Sequence, residues 1–287
     1  MAGTLIRCDI SLPNYFSYEP APAVDTRPMI PRREQRGLFM RGEFGTKPDG
    51  RMRPVGAHNT THLDVPFHFL EQGADMAQVL NRADTPGDRF SLARVLWLAG
   101  RPELPGVYTR DGVTYCEAIS TDVLPSVDVL AGYESLVVLT GFGAVMAKTP
   151  SGAFATDADG RYHLPYLTAD AVRRVLQAGL RLVALDSNTV EAQSSVEPIR
   201  FTSDAHYQLL GHAPPVLIVE GLGGGTLEAQ VGFAPHEALL QIVPRRVNAA
   251  GAEAMHSRAF LYFYRDDAQG TRLRALHALV QPGELYG

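Results

Sequence analysis

Residues 58–68 read His58-Asn59-Thr60-Thr61-His62-Leu63-Asp64-Val65-Pro66-Phe67-His68, and the interpretation of the whole chain starts from this stretch. Three histidines and one aspartate occupy even-numbered positions within these eleven residues. Because side chains alternate along an extended backbone, an extended segment places all four on one face. A helix would pair only His58 with His62, and Pro66 disfavours a helix interior. The spacing therefore predicts an extended segment.

Imidazole and carboxylate groups are the ligands of Zn and Mn sites, so four of them on one face indicate a metal site. An extended chain spans roughly 13 Å from His58 to His62, at about 3.3 Å per residue. One ion barely reaches both. Either the chain bends between Asn59 and Thr61, or the face serves two neighbouring ions that share a central ligand. The alternative without a metal is a polar strand face with ordinary hydrogen bonds. The residues on the other face are apolar, namely Leu63, Val65, Phe67 and Phe69.

The composition of the 287-residue chain, 45% hydrophobic and 20% charged, is typical of a folded globular protein. A formal net charge of -5, a pI near 6.0 and the lack of a basic run argue against a nucleic-acid partner. Cys8 and Cys116 are expected to be free thiols. The chain shows no signal-peptide core and no stretch near the roughly 20 apolar residues that span a membrane. A cytoplasmic protein without a membrane partner is therefore expected.

Helix and strand patterns alternate along the chain, which predicts an α/β fold. Glu220 ends a buried strand, where an unpaired carboxylate would be costly, so a strong partner is implied. Residues 187–203 have little apolar periodicity and are expected to pass over the site as a loop. The predicted strands are 5–12, 90–98, 136–141, 180–186, 216–220, 236–243 and 259–264. The predicted helices are 74–82, a segment capped by Ser120 or Thr121 before Gly132, one from Thr168 to Gly179, and 205–210.

The stretch 58–68 resembles the signature H-x-G-T-H-x-D-x-P-x-H of the metal-dependent cyclase and kynurenine formamidase family, which includes isatin hydrolases. Thr60 stands where that pattern has Gly, and a β-branched residue does not adopt a glycine-only conformation. The local turn is affected, but no candidate ligand is. Further likenesses lie at Asp9-Ile10-Ser11-Leu12-Pro13, at Thr140-Gly141-Phe142, at His206 with Leu209 and Leu210, at Glu220-Gly221-Leu222 and at Arg258-Ala259.

This resemblance implies a swivelling β/β/α cyclase-like fold, with a central mixed sheet and flanking helices. One domain would span residues 1–287, with a C-terminal tail of unassigned role at about 265–287. The implied metal ligands are His58, His62, Asp64, His206 and Glu220. Asp64 is the expected bridge between two ions, and His68 is implied as the catalytic acid/base. One or two Zn or Mn ions per chain and a homo-oligomer, either a dimer or a tetramer, are also implied.

By the same resemblance, the chain is a metal-dependent amidohydrolase with a small-molecule substrate. Metal-activated water would cleave a C–N bond of an amide, an N-formyl amide or a cyclic amide or imide. Three alternatives stay open: a metal-assisted cyclase, a lactone hydrolase and a non-catalytic metal-binding module. Phe67, Phe69, Phe142, Tyr162 and Tyr166 are candidates for an apolar substrate pocket, although aromatic residues belong more often to a core.

Other catalytic classes lack their motifs in this sequence. No G-x-S-x-G elbow is present, and the glycine cluster after Glu220 fails the G-x-G-x-x-G spacing at Thr226. A serine-triad hydrolase and a dinucleotide site are thereby disfavoured. The histidines outside any cluster are expected to be structural or surface residues, namely His163, His212, His236, His256 and His277.

Overall fold

A computed structural model describes residues 4–11, 44–46, 52–54, 61–70, 72–80, 90–110, 112–148, 163–192, 205–223, 235–244, 254–267 and 270–280. The fold below concerns these residues. The predictions made for His58, Thr60 and Tyr162 lie outside them.

The described residues form fourteen strands and six α-helices. The strands are β1 (Leu5–Asp9), β2 (Phe44–Thr46), β3 (Met52–Pro54), β4 (His62–Asp64), β5 (Phe90–Trp97), β6 (Val107–Arg110), β7 (Val113–Cys116), β8 (Ala118–Ile119), β9 (Ser135–Leu139), β10 (Tyr166–Leu167), β11 (Leu182–Leu185), β12 (Leu217–Glu220), β13 (Glu237–Pro244) and β14 (Ala254–Tyr264). The helices are α1 (Met76–Leu80), α2 (Val127–Leu130), α3 (Phe142–Lys148), α4 (Ala169–Gln177), α5 (Ala205–Leu210) and α6 (Thr271–Val280).

A large mixed sheet organises the molecule, as predicted. Its strand order is β1-β14-β13-β5-β9-β11-β12-β4, and β4 also pairs with β14. Strands β5, β9, β11 and β12 are parallel, whereas β4, β13 and β14 run antiparallel to their neighbours. Because β14 binds β13 along one edge and β4 along the other, seven of these strands close into a ring. The inserted strand β4 is thus held on both edges.

Apolar side chains fill both faces of this sheet, which is why its strands read as continuous hydrophobic runs. Leu63, Val137, Ala184 and Val219 belong to one buried cluster. The intervening Leu136, Val138, Val183, Leu185 and Ile218 belong to a second cluster, shared with helices α4 and α5. The alternation along β4 therefore turns Leu63 to the first cluster and both of its neighbours to the second face.

Helix α4 shows how local sequence sets an element boundary. Thr168 occupies the N-cap position with extended backbone, as predicted, but it does not cap the helix through its side chain. Its hydroxyl donates to Asp170 instead, and Thr121 donates to the same carboxylate. These hydrogen bonds hold the pKa of Asp170 below its usual range, and the one from the Thr121 hydroxyl has the largest effect. Gly179, with φ of 72°, follows the last turn of the helix.

Part of the predicted tail at about 265–287 forms the C-terminal helix α6, which packs on the sheet. Leu273 is buried against Leu92 and Leu239 of the sheet. Arg274 pairs with Glu237 at 2.9 Å, and His277 lies 2.8 Å from a carboxylate oxygen of Glu134. Residues 271–280 therefore pack on their own sheet.

Two predicted boundaries were wrong. The helix expected after Ser120 begins at Val127, because Thr121 is engaged with Asp170 and does not cap a helix. Strand β14 begins at Ala254, five residues before the predicted start at Ala259. Among the described residues, no helix is long and apolar enough to cross a membrane.

Both cysteines are buried free thiols, which gives a test of the packing. Burial, with the nearby Asp186 and Glu117 carboxylates, raises the pKa of Cys116 to about 11. Burial also raises the pKa of Cys8. Since the thiolate is the reactive form, we expect neither cysteine of the folded protein to react with Ellman's reagent near neutral pH. Both should react in denaturant. Rapid reaction of Cys116 in the folded protein, well below its pKa, would contradict this packing.

A hydrogen bond from Thr61 joins the start of β4 to the turn after β12. Its buried hydroxyl donates to the Gly221 carbonyl at 2.6 Å. Replacing Thr61 by Ala removes the donor from a buried carbonyl, which costs about 1–3 kcal/mol. We therefore expect Thr61→Ala to lower the free energy of unfolding by that amount in urea titrations of metal-free protein. Thr61→Ser keeps the hydroxyl and is the matched control. Equal stability of the two variants would show that this hydrogen bond contributes little.

Candidate metal centre

The site begins with the alternation of side chains along β4. His62 and Asp64 share the face opposite Leu63, as the spacing predicted. In the sheet register, His62 stands directly opposite Glu220 of β12, and Asp64 stands opposite Ile218. Residues paired across antiparallel strands lie side by side on the same face. The sheet therefore brings two sequence-predicted ligands of β4 beside a third on β12.

Helix α5 brings the fourth predicted ligand over this face. His206 lies in its first turn, and the helix packs against β12 through the buried Leu209 and Leu210. The ring of Phe69 stacks on the His206 imidazole with a centroid distance of 4.3 Å and an angle of 13°. The position of His206 is thus set by an apolar helix face and an aromatic contact.

These four side chains form a ring in which imidazoles and carboxylates alternate. His62 Nε2 lies 3.6 Å from Asp64 Oδ1 and 3.3 Å from Glu220 Oε2. His206 Nε2 lies 3.7 Å from Asp64 Oδ2 and 3.2 Å from Glu220 Oε1. The side chains of all four are almost fully buried, with at most 4% exposed. The structure therefore brings together four of the five predicted ligands, and the fifth, His58, lies outside the described residues.

The buried carboxylates control the protonation of this ring. Burial by itself lowers the pKa of His206. The charge of Glu220, and hydrogen bonds that Asp64, Glu191 and Glu220 accept from the imidazole, raise that pKa well above its usual value. Burial by itself raises the pKa of Glu220, whereas the charge of His206 and hydrogen bonds with His206 and His62 bring it below its usual value. Glu220 is thus held as a carboxylate beside a positive charge.

His68 does not lie on an extended strand, so this part of the prediction was wrong. Residues Pro66–His68 form a 3-10 turn, closed by a hydrogen bond from the His68 N–H to the Val65 carbonyl at 2.8 Å. Pro66 occupies the first turn, where its fixed φ suits a helical start and its missing N–H is not needed. The turn brings the His68 ring to 5.5 Å from that of His206.

Within the part of the chain that the structure describes, two sets of donors fit a metal ion by proximity. The ligand atoms of His62, Asp64 and Glu220 all lie within 4.8 Å of one another, and so do those of Asp64, His68 and His206. Asp64 belongs to both sets. Converging buried carboxylates also raise each other's pKa, and a cation between them relieves that repulsion. The residues present therefore fit a divalent ion.

Sequence reasoning missed Glu191, which was assigned to a loop over the site. It is fully buried, and its Oε1 accepts the His206 backbone N–H at 2.9 Å. One available signal was its place after β11, because the carboxyl ends of parallel neighbouring strands share one edge of a sheet. Glu220 ends the neighbouring strand β12 at that same edge.

His256 was expected to be either a structural or a surface residue. It is buried, which excludes the surface alternative. In the register of β14 and β4, it stands directly opposite His62. The other lone histidines lie apart from both donor sets. His163 pairs with Glu117 at 3.0 Å, while His212 and His236 are exposed.

Asp186 fixes the edge of the sheet from which these loops emerge. It receives hydrogen bonds from the Thr140 N–H and hydroxyl and from the N–H groups of Gly141 and Gly143. The following residue, Ser187, accepts the Gly221 N–H at 2.7 Å. Val190 donates to Glu220 Oε1 at 2.8 Å. The ends of β9, β11 and β12 are thereby joined around Glu220.

Known proteins resemble this chain in sequence and in fold. The model of the Cyclase family, described as "Putative cyclase", matches residues 9–192. No curated protein matches the chain significantly.

Several solved structures share the fold at low identity. A potential metal-dependent hydrolase with cyclase activity has a TM-score of 0.53 at 16% identity, covering 90% of this chain and 98% of that one. Isatin hydrolase A from Ralstonia solanacearum has a TM-score of 0.55 at 11% identity, with 90% and 92% covered. An isatin hydrolase bound to the product analogue thioisatinate has a TM-score of 0.54 at 14% identity. The match covers 91% of this chain and 93% of that one. Because the family match spans more than half of the sequence, the chain belongs to the Cyclase family.

Proposed function

We propose that this protein is a metal-dependent amidohydrolase, which cleaves the C–N bond of an amide, an N-formyl amide or a cyclic amide or imide. The observation that supports this function best is the buried ring of His62, Asp64, His206 and Glu220. The similar structures described as isatin hydrolases support a cyclic amide among the candidate substrates.

The residues that would hold the metal are the four of the ring, with His58 as a further ligand. If two ions bind, Asp64 is the ligand that we propose they share, because it lies beside His62 and Glu220 on one side and beside His206 on the other. Mixed imidazole and carboxylate ligands suit Zn or Mn, and we propose one or two ions per chain. When bound, such an ion polarises a carbonyl group and lowers the pKa of coordinated water to about 7.

His68 is the proposed acid/base. His68 is 5% exposed, and its ring lies beside the rings of His206 and Phe69, with a ring nitrogen within 4.8 Å of ligand atoms of Asp64 and His206. A ring nitrogen of His68 would accept the proton of the attacking water and return it to the leaving nitrogen. Imidazole suits both steps, because its ordinary pKa near 6.5 lets it gain and lose a proton around neutral pH.

The packing around the ring also bears on catalysis. The aromatic ring of Phe69 and the apolar end of helix α5 exclude water from one side of His206. In a site shielded from water, charges act on one another more strongly. The closed sheet keeps His62, Asp64 and Glu220 in register.

The metal content of purified protein tests the proposal, together with hydrolysis of N-formylkynurenine and isatin before and after chelation. We expect about one or two Zn or Mn ions per chain, loss of turnover on chelation and recovery when the metal is restored. Wild-type protein without bound metal, or turnover untouched by a chelator, would refute the metal-dependent mechanism.

A metal-assisted cyclase is the second candidate function, because one structure with this fold is described as having cyclase activity. The two reactions differ in their use of water. Hydrolysis in oxygen-18 water places the label in the product, whereas a cyclisation that consumes no water leaves the product unlabelled.

Replacing His68 by Ala separates a proton-transfer role from a ligand role. If His68 moves protons, kcat should fall by about a hundred- to ten-thousand-fold while the metal content stays at the wild-type level. His212→Ala, at an exposed histidine outside both donor sets, is the control and should change neither quantity. Loss of metal from His68→Ala would identify His68 as a ligand, and unchanged turnover would remove it from the mechanism.

A further inference from the structure

Glu191 touches His206 at two points. Its Oε1 accepts the His206 backbone N–H at 2.9 Å and lies 3.2 Å from Nδ1 of the His206 ring. The opposite ring nitrogen, Nε2, faces Asp64 and Glu220. One buried carboxylate therefore contacts both the backbone and the ring of a proposed metal ligand, on the side away from the centre.

We propose that Glu191 is a positioning residue, which keeps the remaining proton of His206 on Nδ1 and presents the lone pair of Nε2 to the metal. This inference rests on the proposed function, since it assigns a purpose to the orientation of one ligand. Glu191 itself contacts neither the centre nor a substrate in this role.

The chemistry of imidazole gives the physical reason. A neutral histidine carries one proton on either nitrogen, and only the other nitrogen can bind a metal. A carboxylate at Nδ1 favours the tautomer with the proton there and increases the electron density at Nε2. Loss of such a partner typically weakens metal binding by about 10–100-fold.

Because α5 is short, the His206 N–H needs a hydrogen-bond acceptor from outside the helix. The helix has six residues, and His206 lies in its first turn, where backbone N–H groups lack partners within the helix. Glu191 supplies the acceptor for the His206 N–H from outside the helix. Its own N–H is held by the Thr189 hydroxyl at 3.1 Å, which fixes the loop that carries it. Phe69 then confines the His206 ring from its face.

A purely structural role would use only the backbone contact. Glu191→Gln isolates the charge, because the amide oxygen at the place of Oε1 can still accept the His206 backbone N–H and face Nδ1, but it carries no negative charge. If Glu191 only holds the helix start, Glu191→Gln should bind metal as the wild type does. If it positions and polarises the ring, the affinity should fall without a loss of fold.

The matched control lies elsewhere in the same chain. Glu117 Oε2 stands 3.0 Å from Nδ1 of His163, so it forms the same carboxylate–imidazole contact. His163 belongs to neither donor set. Glu117→Gln therefore removes the same charge from the same kind of pair, and it should leave metal affinity unchanged.

The experiment measures Zn²⁺ affinity of metal-free protein by competition with a chromophoric chelator, beside its thermal unfolding. We expect Glu191→Gln to bind Zn²⁺ about 10–100-fold more weakly, with an unfolding midpoint within the range of the wild type and Glu117→Gln. Wild-type affinity in Glu191→Gln would overturn the inference. A wild-type protein that binds no Zn²⁺ would instead refute the proposed function, and the inference with it.

A second measurement needs no variant and covers the case in which Glu191→Gln does not fold. In Zn²⁺-loaded wild-type protein labelled with nitrogen-15 in histidine, NMR reports which ring nitrogen of His206 carries the proton. We expect the proton on Nδ1 and slow exchange with solvent. A proton on Nε2 would overturn the inference whatever the variants show.

Discussion

The alternating ring of two carboxylates and two imidazoles is the constraint on which the rest of the site depends. Taking Asp64 and Glu220 out of water is costly, and attraction to neighbouring charges offsets that cost only when the geometry is good. In the metal-free chain, the proton on His206 offsets part of the negative charge, as the direction of its pKa shows. A divalent ion would do the same more fully. The ring is therefore a place that a cation stabilises.

Closure of the sheet explains how such a short strand can hold two members of the ring. β4 has three residues, too few to be stable on one edge, yet it pairs with β12 on one side and with β14 on the other. Leu63 anchors it in the buried cluster between its two polar neighbours. The alternation of a single strand thus fixes one apolar anchor and two proposed ligands at once.

Much of the fold and site could be predicted from the sequence, because period-two alternation and buried apolar runs are local signals. They placed His62 and Asp64 on one face and put Glu220 at the end of a strand. The turn at Pro66 was misread, since proline opposes a helix interior but suits its first turn. Glu191 was missed for another reason. Its contact with His206 depends on which strands become neighbours, and neither local pattern nor spacing carries that information.

Four carboxylates lie near the ends of β9, β11 and β12, and their different surroundings give them different roles. Asp186 receives four hydrogen bonds from residues 140–143 and holds the end of β9 to the end of β11. Asp64 and Glu220 face imidazole nitrogens at the centre. Glu191 lies behind His206 and touches its far nitrogen. Because an environment sets the protonation and role of each carboxyl group, nearby acids of similar chemistry need not be interchangeable. The parallel strands supply the shared edge. The partners of each acid there differ, so Asp186 is structural, Asp64 and Glu220 are proposed ligands, and Glu191 is the group that we propose orients a third ligand.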